Sequence, residues 1–142
     1  MFQTNRAGTI IKNGGCIVLK DIIIVAIRFF QYYYLVMDGF EDRLDNIRDS
    51  ILKHVPAKYI YLFGSYAYGK PTEKSDIDIY IVTPDDVDNF SEIYAKIMGD
   101  LGDKKIFFID LSLNGESNFN MRKTKNRFEK TIFQKGKIIY EH

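Results

Sequence analysis

Two short apolar runs, joined through a glycine-serine pair and an aspartate pair, set the strongest constraint on this chain. Tyr59-Ile60-Tyr61-Leu62-Phe63 leads into Gly64-Ser65, and ten residues further on Asp76-Ile77-Asp78 opens a second run that continues to Val82. Short runs of β-branched and aromatic residues bounded by turn residues read as buried strands. A strand that ends in Gly-Ser and turns into a short helix presents backbone N–H groups that suit a phosphate. Gly64 lets the backbone approach closely because it has no side chain, and Ser65 adds a hydroxyl donor. Residues i and i+2 of a strand share a face, so Asp76 and Asp78 are expected to project together. Two carboxylates held side by side repel unless a cation sits between them. Magnesium bound by one or two carboxylates plus substrate phosphates answers that need. In isolation such a pair reads better as a polar strand start at the surface; the Gly-Ser context argues for chemistry.

The surrounding pattern predicts a small α/β or α+β domain, a mixed sheet with helices packed against it. Phe40, Leu44, Ile47, Ile51 and Val55 recur at helical spacing among charged residues, and Pro56 stops the helix they define. A helical turn over 64–68 and turn chemistry over 69–74 link the two strands. Residues 88–101 read as a helix, 106–111 as a third strand, and Asn114-Gly115 as a turn. Residues 119–135 read as one helix, with Met121, Phe128 and Ile132 inward and most of its basic residues outward. A short strand, 137–140, closes the pattern. The tyrosines of the strands, Tyr59, Tyr61 and Tyr80, are expected in the core or on the sheet surface.

The first 36 residues follow a different logic. Ile22–Val36 is almost continuously apolar, yet it is shorter than the ~20 residues a membrane helix needs and has Arg28 in its middle. No small-residue cleavage site follows it. It suits a strand or a buried helix. Residues 1–36 are therefore read as an N-terminal extension, dispensable for folding and upstream of an expected natural start at Met37, and 37–142 as the domain.

Charge and rare residues narrow the chemistry. A net charge of +1 over 142 residues gives no case for bulk nucleic-acid binding. The charge is segregated, however: residues 38–110 hold nine basic against fifteen acidic side chains, and residues 111–142 hold seven against three. The basic tail could face a polyphosphate or an acidic partner, or be a solvated helix face. Cys16 is the one cysteine, so no internal disulfide forms. With two histidines, His54 and His142, there is no histidine set for a metal. His54 is expected to serve the end of its helix.

Leu62-Phe63-Gly64-Ser65-Tyr66-Ala67-Tyr68-Gly69, followed by Ser75-Asp76-Ile77-Asp78-Ile79, resembles the signature of the DNA polymerase beta-like nucleotidyltransferases. Within that superfamily the chain is most similar to the minimal nucleotidyltransferases, the MNT proteins, over about residues 37–140. The resemblance implies a nucleotidyltransferase palm with the aspartate strands adjacent. It implies ATP and Mg2+ at Gly64, Ser65, Asp76 and Asp78, and a third metal-binding and catalytic carboxylate on a later strand. Asp110, within Lys104–Leu111, is the candidate, because a charge inside so apolar a run is costly unless paired or metal-bound. It further implies a cytoplasmic antitoxin that moves AMP from ATP to a tyrosine of a HEPN-domain toxin. A binding-only antitoxin and a small-molecule nucleotidyltransferase are the alternatives, the latter usually needing a further acceptor-binding domain. One departure stands out. Many relatives carry Arg where this chain has Tyr68, which leaves Lys70 or a tail residue such as Lys123 to supply the positive charge.

Overall fold

The structure, a computed structural model, describes the backbone of residues 3–4, 9–12, 15–72 and 74–142. Side chains are described at 23, 24, 26, 27, 39–72 and 74–142. The chain divides into two compact units, Met1–Asp42 and Arg43–His142.

In the first unit, β1 (Gln3–Thr4), β2 (Thr9–Lys12) and β3 (Gly15–Val18) form an antiparallel sheet in that order. Helix α1 then runs from Leu19 to His54. The apolar stretch after residue 21 is thus helical, and it is continuous with the helix that the periodicity from Phe40 to Val55 predicts. Ile23, Ile24 and Ile27 are exposed, so at those positions the helix is not a buried one. No helix among the described residues is long and apolar enough to cross a membrane.

The second unit is built on a four-stranded sheet. Its strands are β4 (Tyr59–Phe63), β5 (Ile77–Thr83), β6 (Ile109–Gly115) and β7 (Lys137–Glu141), in the spatial order β6-β5-β4-β7. β5 runs antiparallel to β4 and parallel to β6, and β7 is antiparallel to β4. The remaining elements are the single helical turn α2 (Ser65–Tyr68), α3 (Phe90–Asp103), α4 (Glu116–Lys123) and α5 (Phe128–Lys135).

Alternation along the strands sorts the core into two faces. Tyr61, Phe63, Tyr80 and Val82 lie on one, packed with Phe119 of α4 and Ile132 of α5. Ile60, Leu62, Ile79 and Ile81 point the other way and are at most 1% exposed. The C-terminal part of α1 and α3 remain to cover them, and they bury Ile47, Ile51, Ile97 and Leu101. These two helices are tied by Asp100, which accepts from Lys53 and from Ser50 Oγ at 2.7 Å, while Lys104 Nζ donates to the same Ser50 at 2.7 Å.

Three sequence expectations are corrected here. The third strand is not 106–111: it starts at Ile109 and runs through Asn114-Gly115, which form its end and not a turn. Residues 104–106 instead close α3, with Lys105 N–H donating to Gly102 and Ile106 N–H to Leu101, both at 2.9 Å. That is a left-handed helix terminus, and Lys105 accordingly has φ +57°. The expected 119–135 helix is two helices with a break over 124–127. The break resets the phase: Met121 and Phe128 are exposed, while Phe119, Glu129 and Ile132 are buried. Asp85, after β5, caps α4 by accepting from Ser117 N–H at 2.9 Å.

Candidate active site

The residues singled out by sequence converge on one end of the four-stranded sheet. Phe63, the last residue of β4, is the register partner of Asp78 on β5, and Asp78 is the partner of Asp110 on β6. Backbones so paired stand about 4.8 Å apart. Gly64 follows Phe63 directly, and Asp76 lies one residue before β5 begins, outside the strand. Thus Gly64 and Ser65, at the start of α2, flank β5 on one side, and Asp110 flanks it on the other.

Gly64 adopts φ +67° and ψ −150°, a region that residues with a side chain essentially avoid. Space explains the rest. A β-carbon there would fall on Asp78 Oδ2 and stand 2.9 Å from Asp78 Cγ. With Asp78 as placed, position 64 therefore has no room for a side chain, besides any need to approach a phosphate.

The electrostatics of the cluster are those of an unrelieved like-charge group. The Asp78 carboxyl is held above the ordinary carboxylate range, first by burial and then by the negative charges of Asp110 and Asp76. A cation beside Asp78 would remove the repulsion, so the donor set fits a hard divalent ion. Among the described residues no three acidic, histidine or cysteine side chains close into a ready-made metal cage. Magnesium commonly takes one or two carboxylates and completes its shell with water and phosphate, so an open carboxylate group suits it.

Asp110 departs from expectation in its surroundings. It is exposed, and the residues before it, Phe107 and Phe108, are 56% and 74% exposed. The argument that a charge in a buried apolar strand must be paired does not hold for it. Its claim on the site rests on its register opposite Asp78.

Behind Asp78 on the same face lies a polar network that the sequence did not reveal. Tyr80 Oη donates to Glu129 Oε1 at 3.2 Å, Asn114 Nδ2 donates to Tyr80 Oη at 2.9 Å, and Arg122 Nε donates to Glu129 Oε1 at 2.6 Å. Burial chiefly pushes the Tyr80 hydroxyl up to about 12. The signal was hidden by helix phase: only the break at 124–127 turns Glu129 inward. Phe128, the first residue of α5, meets Phe63 edge-on at 5.0 Å, so the start of α5 lies at the carboxylate end of the sheet. Of the basic tail, Arg122 is committed to Glu129, and Lys123 stands 4.4 Å from the centre of the Phe133 ring. Lys125 and Arg127 are exposed, as are Tyr68 and Lys70.

Comparison with known proteins adds to this geometry. The family described as Polymerase beta, Nucleotidyltransferase matches residues 45–142. A Methanocaldococcus jannaschii protein, named as a protein adenylyltransferase, is 36% identical over 83 residues, which cover 58% of this chain and 78% of that one. Among solved structures, a crystal structure of a toxin-antitoxin with AMP-PNP is similar in fold, with a TM-score of 0.50 and 22% identity over 70% of this chain and 73% of that one.

Proposed function

The chain belongs to the polymerase beta nucleotidyltransferase family, and we propose that it transfers AMP from ATP to a hydroxyl, a tyrosine's, on a HEPN-domain toxin that it thereby silences in the cytoplasm. The observation that carries this reading is the convergence of Gly64, Asp78 and Asp110 at one end of three adjacent strands. The adenylyltransferase name of the M. jannaschii relative supports the group transferred. The name of the same relative, a protein adenylyltransferase, also supports a protein acceptor. The toxin follows from the motif's likeness to MNT proteins, and the structural neighbour is itself part of a toxin-antitoxin pair.

The residues divide the work as follows. Gly64 and Ser65 receive the β- and γ-phosphates through backbone and hydroxyl donors. Asp76 and Asp78, with Asp110, would hold Mg2+, which when bound neutralises phosphate charge. Asp110 also accepts the proton of the incoming hydroxyl. The hydroxyl oxygen bonds to the α-phosphorus as the bond from that phosphorus to the pyrophosphate oxygen breaks. Pyrophosphate leaves, and the proton passes from Asp110 to water. Alignment of nucleophile and leaving group supplies much of the acceleration in such reactions.

The test is incubation of the HEPN-domain protein of the same genome with this chain, ATP and magnesium, followed by intact-mass measurement. The toxin should gain whole AMP masses and lose its toxicity. Neutralisation with no mass gain would replace this reading with one of binding alone.

A further inference from the structure

Among the described residues, three that are not glycine have positive φ: Asn89, Lys105 and Phe108. Two are accounted for. Asparagine tolerates the left-handed region, and Lys105 closes the end of α3. Phe108, at φ +60°, has neither excuse. It is bulky, it terminates no helix, and its ring is 74% exposed, so packing does not repay the strain. The segment is nevertheless tied down. Ile77 N–H donates to the Phe108 carbonyl at 2.8 Å, and the Arg43 guanidinium donates to the carbonyl of Phe107. Phe108 immediately precedes Ile109, the register partner of Ile77, which sets its backbone beside Asp76 and two residues before Asp110.

The strand order gives this ring a side. β5 lies between β4, which ends at Gly64-Ser65, and β6, which carries Asp110. In-line displacement places the incoming oxygen opposite the leaving pyrophosphate. With the pyrophosphate held toward Gly64-Ser65, the acceptor arrives from the β6 side, where Phe108 stands. Resting on the reading above, we propose that Phe108 is a positioning residue for the acceptor: the hydroxyl-bearing segment of the partner protein packs on its ring and is thereby aimed at Asp110. The backbone strain holds the ring out of the core, in the path of the acceptor.

The experiment compares wild type, Phe108→Ala, Phe108→Gly and Phe108→Tyr in the full chain, with the same-genome HEPN-domain protein as acceptor. It measures KM for acceptor, kcat, calorimetric affinity for MgATP and the thermal midpoint. Loss of one aromatic contact predicts a rise of roughly tenfold in acceptor KM for Ala and Gly. MgATP affinity should stay unchanged, and Phe108→Tyr should behave as wild type. Glycine suits the φ at this position, so Phe108→Gly should melt no lower than wild type, which separates the effect from misfolding. An unchanged acceptor KM overturns the inference. So does a loss of MgATP affinity with acceptor KM intact, which would make the ring a platform for the base. If wild type binds MgATP but transfers nothing to the acceptor, the transfer reading itself fails and this inference falls with it.

Discussion

Gly64 and Asp78 occupy one space: a β-carbon on the glycine would sit on the aspartate's Oδ2. The pair therefore binds the end of β4 to the carboxylate of β5 more tightly than the thirteen residues between them in sequence suggest. Gly64→Ala would combine this clash with a backbone conformation that costs about 1–3 kcal/mol for a residue with a side chain. The variant should melt lower than wild type and lose transfer, because relief of the clash must swing Asp78 away. A variant with wild-type melting and activity would mean that the loop moves freely, and that the closeness of Gly64 to Asp78 has no consequence.

Asp110→Asn tests the assignment of roles among the carboxylates. A group that takes a proton only as the bond forms contributes to kcat more than to ATP binding. Transfer should fall roughly 100-fold or more, while MgATP affinity changes little. Parallel losses in rate and affinity would instead make Asp110 mainly a part of the nucleotide site. The change also removes a negative charge facing Asp78, so the Asp78 carboxyl should titrate lower in the variant than in wild type.

How much of this was legible beforehand varies from residue to residue. Tyr59–Phe63 and Ile77–Val82 were readable as core strands because both their faces are buried and their composition is β-branched and aromatic. Gly64 and Asp78 lie at the strand ends that the local pattern predicts, whereas Asp76, expected on the strand beside Asp78, lies just before it. Ile106–Ile109 misled: four apolar residues in a row hide the point at which a helix terminus at Lys105 ends and a strand at Ile109 begins. The tail misled for a related reason. Lys123-Thr124-Lys125-Asn126-Arg127 has no apolar residue, so periodicity could neither place the break nor fix the phase of Phe128 and Glu129. The Tyr80–Glu129–Arg122 network depends on that phase and was out of reach.

Asp100 predicts an acid-sensitive contact on the opposite face. Its carboxyl is held well below the usual range, first by the hydrogen bond from Lys53 and then by that from Ser50, with Lys104 adding to both. A depressed folded pKa gives stability that is present above the ordinary value near 3.8 and is lost as pH falls below it. Wild type should therefore exceed Asp100→Asn in thermal midpoint at neutral pH, with the gap closing below about pH 4. A gap that stays constant from neutral to acid pH would show that the Asp100 charge is not what ties α1 to α3.

Lys125 and Arg127 are the exposed members of the basic tail, and the start of α5 next to them lies at the carboxylate end of the sheet. Reversing both to Glu discriminates between two uses of that charge. If they meet the triphosphate, the ATP requirement should rise and partner binding stay the same. If they meet the partner, association should slow and become less salt-sensitive. If neither quantity moves, the tail is a solvated helix face and the positive charge lost with Tyr68 must come from elsewhere.

On the proposed reading, the Asp78 carboxylate group is a magnesium site that carries AMP transfer. The most direct measurement is transfer of labelled AMP from ATP to the HEPN-domain protein by wild type and by the Asp76→Asn/Asp78→Asn double variant, each with magnesium and with excess chelator. Neutralising a repelling carboxylate pair should leave the fold intact, with a thermal midpoint at or above that of metal-free wild type. The predicted result is transfer by wild type with magnesium alone, and none by the folded double variant under either condition. Undiminished transfer by that variant, or by wild type in chelator, would contradict the claim.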